Sequence, residues 1–409
     1  MNYDAIVVGA GPGGSTAATM MARHGLNVLL LDKDTFPRDK VCGDAISGKS
    51  VDLLKELGIL NHLERASESI DVWGVAFSGT RGDFVDIPLT QNRDRPNAPG
   101  FVCTRFEFDQ LVFQAAVDAG VEIWQEATVK GLLRDGKRVT GVTVKRKGEK
   151  EVHTIHAPLV IGADGAYSVV VRDLGMDQLN PKHYCGAIRA YYENIGGFQK
   201  NNSLEIHFVD EVIPGYFWIF PLPDGRANVG VGMLSETIKK RGIKLKTLLD
   251  DVVQAPLFKE RFANARRVGP IKGFGLPLGS KPRPMAGDGW MLVGDAASLI
   301  DPFTGEGIGN AMLSGERAAF WAKQALEAGT PTKTFLKAYE TEVIDTLRSE
   351  LRLSHAMQKL LRHTWLLNLV IRKASRSKEV ADAMTCMFDD LSERSRLISP
   401  MFYLRLLAA

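Results

Sequence analysis

Cysteine is scarce in this chain. Cys42, Cys103, Cys185 and Cys386 are the four among 409 residues, far apart and with no CxxC pair. That spacing excludes a zinc ribbon and a disulfide framework, and no metal site is expected. An excess of one charge is missing too: a net charge of +3 is too small to argue for nucleic acid. No run of eighteen apolar residues occurs, so no helix is expected to span a membrane. The first apolar strand begins at residue 4, leaving no room for a signal peptide. Internal repeats and low-complexity linkers are absent as well. Together these absences predict a cytoplasmic protein with reduced thiols. The composition, 45% hydrophobic and 24% charged, is that of an ordinary soluble globular chain. At this length one compact core is not expected, and two or three lobes are.

The informative stretch is Tyr3 to Asp34. Asp4-Ala5-Ile6-Val7-Val8 has the apolar, β-branched pattern of a buried parallel strand. It breaks at Gly9-Ala10-Gly11-Pro12-Gly13-Gly14, with glycines at the GxGxxG positions Gly9, Gly11 and Gly14. A small-residue helix follows from Ser15 to His24, then a second buried strand, Asn27 to Leu31, with Asp32 at its end. Gly9 permits the tight turn, Gly11 lets backbone approach a pyrophosphate, and Gly14 allows close helix packing. The helix N-terminus offers free N–H groups to phosphate, and Asp32 can accept from ribose hydroxyls. A GxGxxG alone is weak; between strand and helix, with an acid eighteen residues past Gly14, it predicts an adenine dinucleotide site.

Beyond Asp34 the chain leaves this unit through the irregular segment Phe36 to Ala45 and a short helix, Ser50 to Leu57. Ile70 to Phe77 and Phe84 to Ile87 read as paired strands, with Thr80 to Asp83 as the turn. A helix from Phe106 to Ala119 precedes strands at 121–124, 127–133 and 139–144, with a hairpin turn at Asp135-Gly136. Pro158 to Ile161 is a buried strand running into Gly162-Ala163-Asp164-Gly165. The first fold is thus interrupted and resumed, and its lobes are discontinuous in sequence. Strands follow at 203–209 and 216–220, then a helical stretch at 243–265. Trp290 to Val293 is a third buried strand, entering Gly294-Asp295-Ala296-Ala297; the loop 300–307 leads to a helix from Ile308 to about Glu327. From about Thr332 the chain reads as amphipathic, moderately basic helix.

Three glycine-acid turns on three buried strands carry more weight than any one of them. Asp164 is either structural or near the cofactor. Asp295 is placed to bond the polyol of a flavin, and Gly305-Glu306-Gly307-Ile308-Gly309 opens a helix whose N–H groups can stabilise negative charge on a reduced flavin ring. Arg105, a cation at a helix start after a strand, can reach a pyrophosphate; the less favoured reading is a solvated surface arginine. Tyr216, Trp218 and Phe220 alternate along a strand and share one face. That stripe is either core or a flat wall beside a cavity; Pro221, Gly230 and Gly232 nearby suit the wall, which would bury methyl and methylene surface.

These motifs resemble the flavoprotein hydroxylase fold of para-hydroxybenzoate hydroxylase, and within it the geranylgeranyl reductase family. Pro37-x-x-Lys40-x-Cys42-Gly43 is similar to that family's PxxKxCG segment. Tyr216-x-Trp218-x-Phe220-Pro221 followed by Gly230-x-Gly232 is similar to its YxWxFP…GxG substrate motif, and Gly294 to Ala297 with Pro302 and Gly305 to Ile308 to its ribityl segment. The resemblance covers about residues 3–320. Asp44 stands where a second small residue is common.

The resemblance implies an α/β fold: a Rossmann-type FAD-binding domain (1–70, 100–182 and 270–330), an inserted antiparallel-sheet substrate domain (71–99 and 183–269) and a helical C-terminal region (331–409). It implies flavin contacts from Gly13 or Gly14, Asp32, Cys42, Gly43, Ala45, Arg105, Val129, Asp295, Gly307 and Ile308. Substrate contacts are implied at Tyr216, Trp218, Phe220, Pro221, Gly230 and Gly232. Cys42 is the candidate catalytic side chain, either a buried structural thiol or one facing substrate. The implied reaction is saturation of carbon–carbon double bonds in a polyprenyl chain by hydride from reduced FAD. FAD would be held non-covalently, since no His or Cys attachment motif occurs. Without a second GxGxxG unit, electrons would come from transiently bound NAD(P)H or a reduced carrier protein. A monooxygenase or halogenase on the same fold is the rival, though Tyr216 to Pro221 departs from the halogenase WxWxIP pattern; a non-enzymatic flavin or lipid carrier is a third reading. Residues 351–409 hold ten Lys or Arg against five Asp or Glu, with apolar clusters at 365–371 and 401–404. That composition suits a helical cap, or peripheral contact with the inner face of a membrane.

Overall fold

The structure is a computed structural model and describes residues 3–89, 97–176, 180–378, 380 and 381. Among the described residues the strands form four sheets. The first has the order Ala286–Gly287, Trp290–Leu292, Leu159–Gly162, Ala5–Val8, Val28–Leu31, Glu122–Trp124. Its four central strands run parallel, with Ala5 opposite both Leu159 and Val28. Ile6, Leu29 and Leu30 are fully enclosed, each contributing about 1.5–3 kcal/mol by burial. Parallel strands need crossovers: the helix Pro12–Arg23 joins Ala5–Val8 to Val28–Leu31, and longer segments join the others, so all three glycine-acid turns leave the same edge of one sheet.

The helix Pro12–Arg23 lies on the helix Ile308–Glu327. Gly13 and Gly315 make the crossing: a Cβ on Gly13 would stand 2.9 Å from the Ala311 carbonyl oxygen, and one on Gly315 would overlap the Gly13 carbonyl. Two helix N-termini, at Gly11 and Gly307, thereby open on one cleft.

The second large sheet has the order Arg266–Pro277, Tyr184–Glu193, Arg226–Leu234, Gly215–Leu222, Leu204–His207, Gly74–Ser78, Phe84–Pro88. It is antiparallel except where Leu204–His207 meets Gly74–Ser78. Phe217 and Ile219 point into a core with Phe258, Phe262 and the helix Leu245–Gln254; Trp218 and Phe220 point the other way. The expected single strand from Ile70 to Phe77 is two. Ser69–Val72 pairs with Gly100–Cys103, whereas Gly74–Ser78 pairs with Phe84–Pro88. Trp73 breaks the run because its N–H bonds the Asn201 carbonyl at 2.8 Å. The helical reading of 243–265 shortens to Leu245–Gln254 plus turns.

The C-terminal helix Lys333–Leu360 packs on the nucleotide sheet, Tyr339 donating to the Leu292 carbonyl at 2.7 Å. The helix Thr364–Ala374 follows and covers the edge of the second sheet: Asn368 accepts from the Thr80 N–H at 2.9 Å, and Ile371 is buried. The cluster at 401–404 lies outside the described residues.

Candidate active site

One cavity of about 470 Å³ runs from the glycine turn to the second sheet. At its nucleotide end Gly9 takes φ +100°, and a Cβ there would meet the Ala163 carbonyl oxygen at 2.5 Å. A Cβ on Gly14 would overlap the Gly9 carbonyl, whereas one on Gly11 would touch only the end of Arg38, at 3.7 Å. Gly9 and Gly14 are therefore demanded by packing, and Gly11 faces open space fit for a ligand. No side chain caps the first turn at Gly11, so its N–H groups stay available to an anion. Asp32 accepts from the Ala10 N–H at 2.7 Å and the Asp34 N–H at 2.9 Å. Burial pushes its carboxyl up, and those two backbone bonds oppose the shift. Each oxygen keeps acceptor capacity for a ribose hydroxyl.

Arg105 is buried and grips Asp109 with two bonds of 2.6 and 2.8 Å; Arg38 adds a third at 2.9 Å. Burial works against the Arg105 charge, and the Asp109 carboxylate overrules it. Asp109 thus aims two guanidinium groups at the cleft; its i,i+4 spacing from Arg105 is a local signal, whereas its bond to Arg38 is not. Lys40 lies 3.8 Å over the Phe274 ring; burial lowers its pKa, with the Asp295 carboxylate resisting. The cleft holds the charge set a dinucleotide pyrophosphate requires.

At the far turn Asp295 reaches Gly307: a Cβ on Gly307 would lie 3.7 Å from its Oδ1. The loop between them is shaped by Asp301, which accepts from the Phe303 and Thr304 N–H groups, both at 2.8 Å. The C-terminal helix locks this loop, Ser354 donating to Asp301 at 2.6 Å and Gln358 to the Pro302 carbonyl at 2.6 Å. Nothing in residues 354–358 announces that role in sequence. Asp164 has a structural role, since Ser168 Oγ and the Val169 N–H donate to it at 2.5 and 2.6 Å and it caps a short helix, and it also borders the cavity.

Tyr216, Trp218 and Phe220 line the other half of the cavity, ring centroids 6.0 and 6.2 Å apart in sequence order. Val75, Leu204, Ile206, Phe303 and Leu361 extend the apolar surface. Tyr216 donates to the Thr304 carbonyl, and a Cβ on Gly43 would stand 3.0 Å from the Phe220 ring. The wall therefore touches both the segment around Gly43 and the loop that holds Thr304. Gly9, Gly11, Gly13, Cys42, Ala45, Val129, Gly232 and Ile308 also border the cavity. Gly14, Pro221 and Gly230 do not. Pro221 takes the opposite face of its strand by alternation. Gly230 acts indirectly, since a Cβ there would overlap the Trp218 indole.

Cys42 borders the cavity with a neutral thiol: burial pushes it up, and the nearby Arg105 guanidinium pulls back only in part. A second cluster has triad-like order, Ser78 Oγ to His207 Nδ1 at 2.8 Å and His207 Nε2 to Glu205 at 3.1 Å. It has no nucleophile's access, because Ser78 is buried and Phe217 and Phe258 pack on the imidazole.

The chain matches two family profiles, an FAD binding domain over residues 2–194 and a geranylgeranyl reductase catalytic domain over residues 184–269. It is 35% identical to digeranylgeranylglycerophospholipid reductase 1 of Methanopyrus kandleri, over 88% of this chain and 91% of that protein. It is 34% identical to a menaquinone reductase of Mycobacterium tuberculosis, over 77% and 75%. The crystal structure of a geranylgeranyl bacteriochlorophyll reductase-like protein from Thermoplasma acidophilum superposes with TM-score 0.78 at 26% identity, covering 100% of this chain and 96% of that one. A triple mutant of a flavin-dependent brominase shares the fold, at TM-score 0.78 and 24% identity over 99% and 100% of the chains.

Proposed function

The chain belongs to the geranylgeranyl reductase family of FAD-dependent oxidoreductases, and on that premise we propose that it saturates double bonds of a polyprenyl lipid. The observation that carries the reading is the continuity of the aromatic wall with the dinucleotide cleft in one cavity. The residues present fit FAD: an open approach at Gly11, an uncapped helix start, two arginines held by Asp109, and carboxylates at Asp32 and Asp295. Reduced FAD supplies a hydride when bound.

The protein's own share is to orient the chain and exclude water. Tyr216, Trp218 and Phe220 offer a ridged aromatic surface, the first two rings at 64° and the last two at 32° to each other, against which a prenyl segment lies, and Val75, Leu204 and Ile206 keep that end dry. Isolated alkenes accept hydride poorly, so a proton must reach the neighbouring carbon in a water-free site. Cys42 is our candidate to hold it at Sγ, since burial keeps the thiol protonated and Arg105 lies within hydrogen-bonding reach of the sulfur. The headgroup stays outside this apolar half.

NAD(P)H or a reduced carrier protein then replenishes electrons from outside. We further propose peripheral contact with an anionic bilayer through the helix Thr364–Ala374. Its inner face is buried at Asn368 and Ile371, while Trp365 is 59% exposed; of the basic residues in its last turn, Arg372 pairs with Asp83 at 3.2 Å and Lys373 adds a second charge.

The decisive experiment is anaerobic. FAD-loaded enzyme, chemically reduced, is expected to add two mass units per double bond to a geranylgeranyl lipid. Product that forms only with oxygen and gains sixteen units, or only with halide, replaces this reading by the hydroxylase or halogenase one.

A further inference from the structure

The segment Asp39–Ala45 and the aromatic wall meet at one buried side chain. Asn228 donates from Nδ2 to Asp44 Oδ2 at 2.8 Å and to the Cys42 carbonyl at 2.7 Å, and accepts from the Trp218 indole at 3.0 Å. Tyr191 donates a further bond to Asp44 Oδ2 at 2.7 Å. Asp44 itself is fully buried at φ +67°, and its Oδ1 has no hydrogen-bond partner. Two unfavourable features thus coincide at one residue: a side chain in the left-handed region and a half-satisfied buried carboxyl. Glycine would form the turn without either. Such features persist where the surrounding structure gains something from them.

We propose that Asp44 is a positioning residue that couples the cofactor loop to the prenyl wall. Its ionised carboxylate orients Asn228, and Asn228 holds the Trp218 indole and the Cys42 carbonyl in one register; protonation of Asp44 releases both. Bonds accepted by a carboxylate are about twice as strong as those to a neutral acid, so the register loosens when the charge is lost. The groups facing Asp44 are Tyr191 and Arg189 from Tyr184–Glu193, Arg105 at the start of its helix, Cys103 before it, and Cys42 on the loop. Burial raises the Asp44 carboxyl to about 6, against the bonds from Tyr191 and Asn228. Release therefore falls on the acid side of neutrality.

The inference rests on the prenyl reading for the wall's ligand, so the first readout is the protein's own. FAD-loaded wild type, Asp44→Asn and Tyr191→Phe are titrated by near-ultraviolet circular dichroism and by the visible flavin band. Wild type is expected to show one transition near pH 6 in both signals. Tyr191→Phe moves it to higher pH, and Asp44→Asn abolishes it. With a geranylgeranyl lipid, KM of the wild type is expected to rise about tenfold on acidification across that transition, with a smaller change in kcat, and KM of Asp44→Asn to stay flat. A transition that is absent from wild type, or survives in Asp44→Asn, overturns the proposal, as does a wild-type KM indifferent to pH. A transition seen as expected in a protein that does not reduce prenyl lipids sinks the prenyl reading and leaves the coupling standing. Tyr191→Phe and the wild-type titration decide the matter even if Asp44→Asn fails to fold.

Discussion

The two halves of the cavity are built by different means. The nucleotide half is made of backbone: glycines that admit close approach, helix ends that present N–H groups, and acids at strand ends. The prenyl half is made of side chains, held by bonds between segments far apart in the chain. A charged ligand of fixed geometry is met by rigid backbone, whereas a hydrocarbon offers only surface, so its site is a shape kept by its supports. Tolerance to substitution should differ accordingly.

The largest effect is expected where backbone packing is absolute. Gly14→Val drives a side chain into the Gly9 carbonyl and should abolish flavin retention, read as the ratio of visible to 280 nm absorbance. Gly232→Ala on the wall side meets neighbours only at 3.5–3.7 Å and should leave flavin content intact. Equal loss in both variants would break the distinction between the halves.

Asp44, at the seam, comes next. Its folded pKa of about 6 lies above the ordinary value, so the fold favours the protonated form. The stability linked to that proton is fully present below the unfolded pKa and is lost as pH rises through 6. A shift of this size is worth about 3 kcal/mol. Asp44→Asn should therefore raise Tm at neutral pH and change it little near pH 4; a lower Tm at neutral pH would contradict the assignment.

On the proposed reading Asp295→Ala removes one charged hydrogen bond to the cofactor, an interaction worth about 1.5–3 kcal/mol. Equilibrium dialysis should show FAD affinity about ten- to hundredfold weaker, with the near-ultraviolet signal of the wall unchanged. Smallest is the outer surface. Replacing Arg372 and Lys373 together should weaken sedimentation with anionic vesicles by roughly 1 kcal/mol per charge, an effect erased by high salt. Binding that ignores salt would dismiss the electrostatic part.

Legibility in sequence follows the same division. The first glycine turn was readable because strand, turn, helix and acid lie within thirty-odd residues and each has a local reason. Asp295 and the helix start at Ile308 were readable for the same cause. Asp109 is legible only in half: its pair with Arg105 is an i,i+4 helix pattern, but only the fold brings Arg38 to it across 71 residues. Asn228 is 184 residues from Asp44, and nothing in either residue's surroundings points to the other. The strand break at Trp73 is not legible locally because its cause, the Asn201 carbonyl, lies 128 residues away in sequence. The aromatic alternation at Tyr216 to Phe220 named the wall but not Pro221's opposite facing.

The lock on the loop 301–307 has a consequence in time. A ribosome that has delivered residue 330 has released every glycine-acid turn and the three aromatic residues of the wall, Tyr216, Trp218 and Phe220. It has not released Ser354 or Gln358, which hold Asp301 and Pro302 in place. The nascent chain at that point can assemble its sheets while the loop beside Asp295 stays unfastened. Loading of the cofactor is therefore expected among the last events of synthesis, and a chain cut before residue 354 is expected to emerge colourless; a visible flavin band in that truncation would count against it.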